Sequence, residues 1–229
     1  MAALLLAGCF INHKGDVKFT YEDAERYQAG NAAFEQPINE IDVNWVAGRV
    51  DIVYADIPGV RIHEEYDTTL SDSLLVHWYV DDEGDLNIQC FASGVRYNLG
   101  SMKDIDKRLT IEVPRGTVLE EINMGAVYSS VRIDTVLCRK LNVGGAAFDL
   151  TADLPTLPDE IDMGGADCCL NLQTPLTAGM TIEMGGIKKY LNITSERPTQ
   201  KEGNKTILGD GKCEIDIGGV NCTLNINEL

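Results

Sequence analysis

The sequence reads as all-β: a parallel β-helix or β-solenoid with coils of about 20 residues and a less regular N-terminal half. Three observations support this reading. A glycine-centred segment recurs as "INMGAVYSSVRI" at 122, "LNVGGAAFDLTA" at 141, "IDMGGADCCLNL" at 161, "IEMGGIKKYLNI" at 182 and "IDIGGVNCTLNI" at 215. Each half of each copy alternates apolar and polar residues, the period of a strand with one buried face. No long segment carries a convincing helical period.

From the N-terminus, "MAALLLAGCFINHKGD" opens with an apolar run that stops at Cys9. The run is too short to span a bilayer. Leu6-Ala7-Gly8-Cys9 is similar to the lipobox of bacterial lipoproteins, in which a signal peptide is cut before the cysteine and the thiol is acylated. Residues 1–8 are therefore expected to be a signal-peptide remnant, with the missing basic n-region placing the true initiator upstream. Residues 9–35, polar and mixed, are expected to be anchor and tether, and durable anchoring takes at least two acyl chains.

Residues 36–229 are expected to form a single domain, a size at which one core can be well buried. "INEIDVNWVAGRVDIVYA" from Ile38 reads as strand, glycine bend and strand, with Ile41, Val43, Trp45, Val50 and Ile52 inward. "LLVHWYVDDEGDLNIQC" reads as a hairpin turning at Asp81 to Asp85. "RLTIEVPRGT" ends its strand at Pro114, which has no N–H for a ladder.

The regular coils occupy residues 120–229. Successive copies start 19, 20, 21 and 33 residues apart, the last step lengthened by a turn-rich insertion at 194–211. Glycine pairs fall between the two strands of each copy, where a corner can demand positive φ or close backbone approach. One such unit cannot bury its face alone, so parallel stacking of like on like is favoured over an antiparallel meander. The inward columns are then Ile122, Leu141, Ile161, Ile182 and Ile215, with Met124, Val143, Met163, Met184 and Ile217 beside them. Each Met replaces a Val or Ile of another coil, which marks packing rather than a soft-metal site. Stacked in sequence order, Cys168 and Cys222 would lie two coils apart with Lys189 between them, beyond disulfide reach. The thiols therefore read as small apolar fillers.

Charge and motifs restrict function. With 19 Lys+Arg against 36 Asp+Glu the formal charge is −17, which opposes nucleic acid and naked anionic headgroups. His13, His63 and His77 have no Ser or Cys nucleophile signal beside them, and the glycine pairs lack the spacing of a phosphate-binding loop. No metal or other cofactor is expected. The outward column Asn123, Asn142, Asp162, Glu183 and Asp216 is the most informative polar feature. Its acidic members Asp162, Glu183 and Asp216 form a candidate cation or ligand face, with a solvated acidic surface as the plainer reading. Asn171, Asn192 and Asn225 form a second outward column, an expected amide ladder. Arg197, Lys201 and Lys205 make the insertion a candidate recognition loop.

"YEDAERYQAGN", "INEIDVNWVAGRVDI", "LTIEVPRGT" and the glycine-rich coils together resemble the bacterial putative-adhesin family of extracytoplasmic β-solenoid proteins, over most of residues 20–229. The resemblance implies a right-handed parallel β-helix-like fold, export or membrane attachment, and no catalytic constellation. The expected function is non-enzymatic: a lipoprotein held to the bacterial cell membrane or surface through Cys9, presenting a surface to envelope protein or polysaccharide. The alternative is a carbohydrate-active enzyme using Asp162, Glu183 and Asp216.

Overall fold

A computed structural model describes residues 10–11, 16–66, 69–98, 106–175 and 177–228. Its strands begin with β1 (Phe10–Ile11), β2 (Asp16–Lys18), β3 (Gln28–Ala29), β4 (Ala32–Phe34), β5 (Glu40–Ala55) and β6 (Val60–Glu65). Next come β7 (His77–Val80), β8 (Asp85–Gln89), β9 (Arg96–Asn98), β10 (Arg108–Pro114), β11 (Val118–Asp134) and β12 (Leu137–Asp153). The last are β13 (Glu160–Thr174), β14 (Met180–Met184), β15 (Ile187–Thr194), β16 (Gln200–Glu202), β17 (Lys205–Leu208) and β18 (Cys213–Glu228). Among the described residues the helical content is two short 3₁₀ turns, Ala24–Arg26 and Asp72–Leu74.

The fold is all-β, with a large, mostly parallel sheet. Its spine runs β5, β11, β12, β13, β18, each neighbour parallel and in register. Val118 pairs with Leu137, so the chain returns above its own start after 19 residues. Alternating burial follows from the alternating sequence: in β13, Ile161 and Met163 are buried on one arm, and Cys168, Leu170 and Leu172 on the other. Between the arms the buried residues change from odd to even numbers. The left-handed residue at each corner supplies that step, with φ near 52° to 58° at Tyr128, Ala147, Asp167, Lys188 and Asn221. One contiguous core results, running from Ile41 through Ile122, Leu141 and Ile161 to Ile215 and Ile182.

The glycine pairs divide their work. The second glycine lies over the carbonyl of its counterpart in the strand below. A Cβ added at Gly145 would meet Ala126 O at 1.8 Å, at Gly165 would meet Gly145 O at 2.0 Å, and at Gly219 would meet Gly165 O at 2.0 Å. The first glycine is under no such constraint: a Cβ at Gly218 would meet nothing within 4 Å.

The stacking order differs from the order along the chain. β18 enters between β13 and the β14 and β15 pair: Ile215 pairs with Ile161 on one side and Ile182 on the other. The insertion accounts for this. Residues 200–208 form the hairpin β16–β17, with positive φ at Gly203 in its two-residue turn, and β17 lies antiparallel on the outer edge of β14. With that edge occupied, the final copy takes the place next to β13. Cys168 and Cys222 are consequently in adjacent strands, not two apart, because Cys169 pairs with Thr223. Both are free thiols that reach backbone oxygens of the neighbouring strand, Cys168 to Gly145 O at 3.6 Å and Cys222 to Gly165 O at 3.7 Å.

Residues 9–35, expected to be a tether, are built into the domain from Asp16 onward wherever described. β4 pairs with β6, β3 pairs with β7, and β2 joins β1 and β9 in a small antiparallel sheet. Hydrophobic side chains explain the docking: Phe19 meets Phe91 edge-on with ring centres 5.3 Å apart, and Phe34 stacks on Trp78 at 5.3 Å. Beneath them a buried ion pair, Lys107 Nζ to Glu64 Oε1 at 2.6 Å, closes that end of the core. Lys107 also donates to Leu74 O and Cys90 O, while Glu64 Oε2 accepts from Val76 N, so the charges are satisfied. Cys9, the eight residues before it and His13 lie outside the described residues. No described helix is long and apolar enough to cross a membrane.

The two glycines of one pair should respond oppositely to alanine. Gly219→Ala adds a clash to a strained φ of 137° and is expected to cost about 3 kcal/mol or more. Gly218→Ala should stay within about 1 kcal/mol of the parent. Urea unfolding of both variants checks this; equal losses would mean that strand approach does not set the glycine requirement.

Candidate functional site

Polar residues at outward positions form a row because the register aligns them. Tyr79 on β7 pairs with Asn87 on β8, Asn87 with Asp42 on β5, and Asp42 with Asn123 on β11. The row continues through Asn142 on β12 and Asp162 on β13. A parallel row two residues further along the strands contains Gln89, Asn44, Gly125 and Gly144. With no side chain, these glycines leave the floor low. The two rows form the base of a groove of about 860 Å³.

One wall comes from the N-terminal segment. Tyr21, Tyr27 and Tyr79 stand in series, with ring centres 4.6 Å and 4.5 Å apart. Tyr21 donates its hydroxyl to Phe91 O at 3.0 Å, and Gln89 reaches the Tyr27 hydroxyl at 3.5 Å. Burial pushes Tyr21 up to about 12 and raises Tyr27 as well, so both phenols stay neutral at ordinary pH. Arg26 lies over the Tyr79 ring at 4.7 Å and 3.9 Å from Asp82.

The floor's amide hydrogens are directed inward. Asn142 Nδ2 donates to Asn123 Oδ1 at 3.0 Å and also to Glu121, and Asn87 Nδ2 donates to Asp85 O at 3.0 Å. Asn123 in turn bonds Asp42. The carboxylates crowd one end. Burial, then Asp85, Glu121 and Asp42, push Glu40 up to about 7. Burial, with Asp85, Glu121 and Asp81 adding to it, pushes Asp42 up to about 6 against the Asn123 hydrogen bond. Asp162 is raised by burial and then by Glu160 and Asp216.

Of the acidic residues singled out in the sequence, Asp162 lies on the groove floor, and Asp216 and Glu183 continue the same row beyond it, with Asp216 in the middle. Glu183 accepts from Asn204 and sits 3.8 Å from Lys205 Nζ. Among the described residues no three His, Cys, Asp or Glu side chains converge closely enough to hold a metal ion. The amide ladder forms in the order Asn171, Asn225, Asn192, with bonds of 2.7 Å and 2.8 Å.

In the insertion, Arg197 is drawn inward. It pairs with Glu228, whose side chain is fully buried in β18, and donates to Ala178 O. That contact pins the insertion to the final strand. Lys201 is exposed on β16. The groove residues that sequence reading passed over are Asp42, Asn87, Tyr21, Tyr27 and Tyr79. Asp42 had a usable signal, since "IDV" at Ile41 matches "INM" at Ile122 in the repeat template. The tyrosines had none, because their convergence depends on a fold-back of the N-terminal segment.

The raised carboxyls give a signed pH effect. Glu40 and Asp42 hold protons more tightly folded than unfolded, so their favourable contribution is complete below about pH 4 and is lost as pH rises to about 7. Thermal unfolding across that range should show Tm falling. Asp42→Asn should remove part of the slope and raise Tm above about pH 7 by about 2 to 4 °C, the equivalent of about 1 kcal/mol. An unchanged slope in the variant would show that Asp42 is not under strain.

No family profile matches the chain, and no curated protein matches it. In three dimensions it is similar to a putative cell adhesion protein from Clostridium sporogenes ATCC 15579, with a TM-score of 0.66 and 14% identity, covering 89% of this chain and 100% of that one. A putative adhesin from Bacteroides fragilis NCTC 9343 aligns at a TM-score of 0.41 and 10% identity, covering 87% of this chain and 97% of the other. At 14% identity the likeness to the Clostridium protein is one of fold, and it extends over most of this chain.

Proposed function

We propose that this chain is a non-enzymatic binding protein of the bacterial cell envelope, a right-handed parallel β-solenoid tethered by lipid on Cys9 and acting in adhesion or envelope organisation. The supporting observation is the groove. Its floor spans β8, β5, β11, β12 and β13 at outward positions, where a purely structural protein would need nothing but solvation. A wall of tyrosines over a polar floor is the composition of a binding site, apolar in body with a few placed polar groups. The adhesion-protein fold agrees with this reading but does not supply the ligand.

One observation favours a second reading, a carbohydrate-active enzyme: Glu40 and Asp42 have carboxyls raised toward neutrality, as a general acid requires. Turnover of envelope polysaccharide that disappears in Glu40→Gln or Asp162→Ala would replace the binding reading with this one.

Soluble protein beginning after Cys9 should recover polysaccharide from envelope fractions, and Tyr79→Ala should reduce the recovery by about tenfold. Undiminished recovery by the variant would remove the groove from the function. Separately, cells fed labelled palmitate should label the wild-type chain and not Cys9→Ala, with the variant released from the membrane fraction. An unlabelled wild type would end the lipid-anchor proposal.

A further inference from the structure

We propose that the groove takes an amine-bearing oligosaccharide, with ammonium groups on successive sugars meeting the carboxylates of Asp42, Glu121 and Asp162 separately, since Asp42 and Asp162 stand three strands apart, and sugar faces against Tyr27 and Tyr79. The inference rests on the binding reading above and specifies its ligand. It is carried by the cavity and its hydrogen-bonding capacity rather than by acidity alone. Asn142, Asn123 and Asn87 direct amide hydrogens at one another, at Glu121, at Asp42 and at the backbone of Asp85. Asn123 Oδ1 and Glu121 Oε1 each accept one of these bonds and keep a second lone pair, and the carboxylates of the lining bring acceptors without donors. A floor that accepts and gives little selects a ligand that donates, and hydroxyls with an ammonium are such donors.

Charge points the same way. Lys, Arg and His are absent from the described lining, whereas Glu22, Asp23, Asp42, Glu121 and Asp162 all contribute to it. The cations beside it are engaged: Arg26 lies over the Tyr79 ring at 4.7 Å and 3.9 Å from Asp82, and Lys140 is paired with Glu160 at 2.8 Å. An anionic polysaccharide would meet uncompensated repulsion, while an ammonium would relieve the crowding among these carboxyls. The tyrosine wall already attracts one cation, Arg26 lying over the Tyr79 ring at 4.7 Å, and offers apolar surface to a sugar.

A peptide fits less well. Peptides that gain affinity from main-chain bonding do so at a sheet edge, and this floor is the face of a sheet. The backbone bonds of β5, β11 and β12 are already made with their neighbours on both sides.

Calorimetry with three probes tests the proposal: a tetramer of β-1,4-linked glucosamine, its fully N-acetylated counterpart, and tetralysine. The glucosamine tetramer should bind at least about tenfold more tightly than either of the others. Asp42→Asn and Tyr79→Ala, each checked for an unchanged fold by circular dichroism, should each weaken it by about tenfold. Equal binding of both sugars would overturn the ammonium while leaving the groove a glycan site. Tetralysine binding as tightly as the amine sugar would overturn the glycan. No binding of any probe would overturn the inference, and the envelope pull-down with Tyr79→Ala would then decide separately whether the groove binds anything.

Discussion

The close approach of one strand's backbone to the next at the glycine corner is the constraint on which the architecture depends. The column Ala126, Gly145, Gly165, Gly219 and Gly186 stacks so tightly that a Cβ at any of its glycines would lie about 2 Å from the carbonyl oxygen of its neighbour. Strands locked at that point share a register along both arms. Ile falls on Ile, Leu on Leu, and Asn on Asn or Asp. The inward columns then bury continuous apolar surface, and the outward columns become long polar rows without further specification. The same glycine column shows the stacking order, because Gly219 rests on Gly165 and Gly186 rests on Gly219.

The groove is a consequence of that register. No single described strand carries a binding motif, yet six outward residues from six strands line up because neighbouring strands are paired in register, parallel from Asn87 through Asp162 and antiparallel between Tyr79 and Asn87. What turns a polar face into a site is the N-terminal segment, which places Tyr21 and Tyr27 beside Tyr79 and converts a flat row into a walled channel. Hydrophobic side chains of the same segment, Phe19 and Phe34, hold it there. Packing and recognition thus share one short stretch of chain.

Buried ion pairs lie toward both ends of the sheet. At one end Lys107 and Glu64 pair inside the core; at the other Arg197 binds the buried Glu228 of β18. Removing one partner of such a pair leaves an uncompensated buried charge, a loss of about 3 to 5 kcal/mol. Arg197 is therefore committed to holding the last strand of the chain, and the exposed cations of the insertion are Lys201 and Lys205, the latter 3.8 Å from Glu183.

Local pattern was sufficient for the strands, their buried faces, the hairpin at Asp81 to Asp85, the strand end at Pro114 and the parallel pairing of Leu141 with Ile161. Each depends on alternation or on the chemistry of one residue, and both are visible in a linear chain. Neighbour choice was not. Five copies of one template fit against one another equally well, so the pattern around Ile215 is compatible with several neighbours, and only the hairpin on the edge of β14 sends it next to Ile161. The site divides along the same line. Asp162, Asn142 and Asn123 were legible as an outward row, while the tyrosine wall arises from contacts between residues more than fifty positions apart, which no local period encodes.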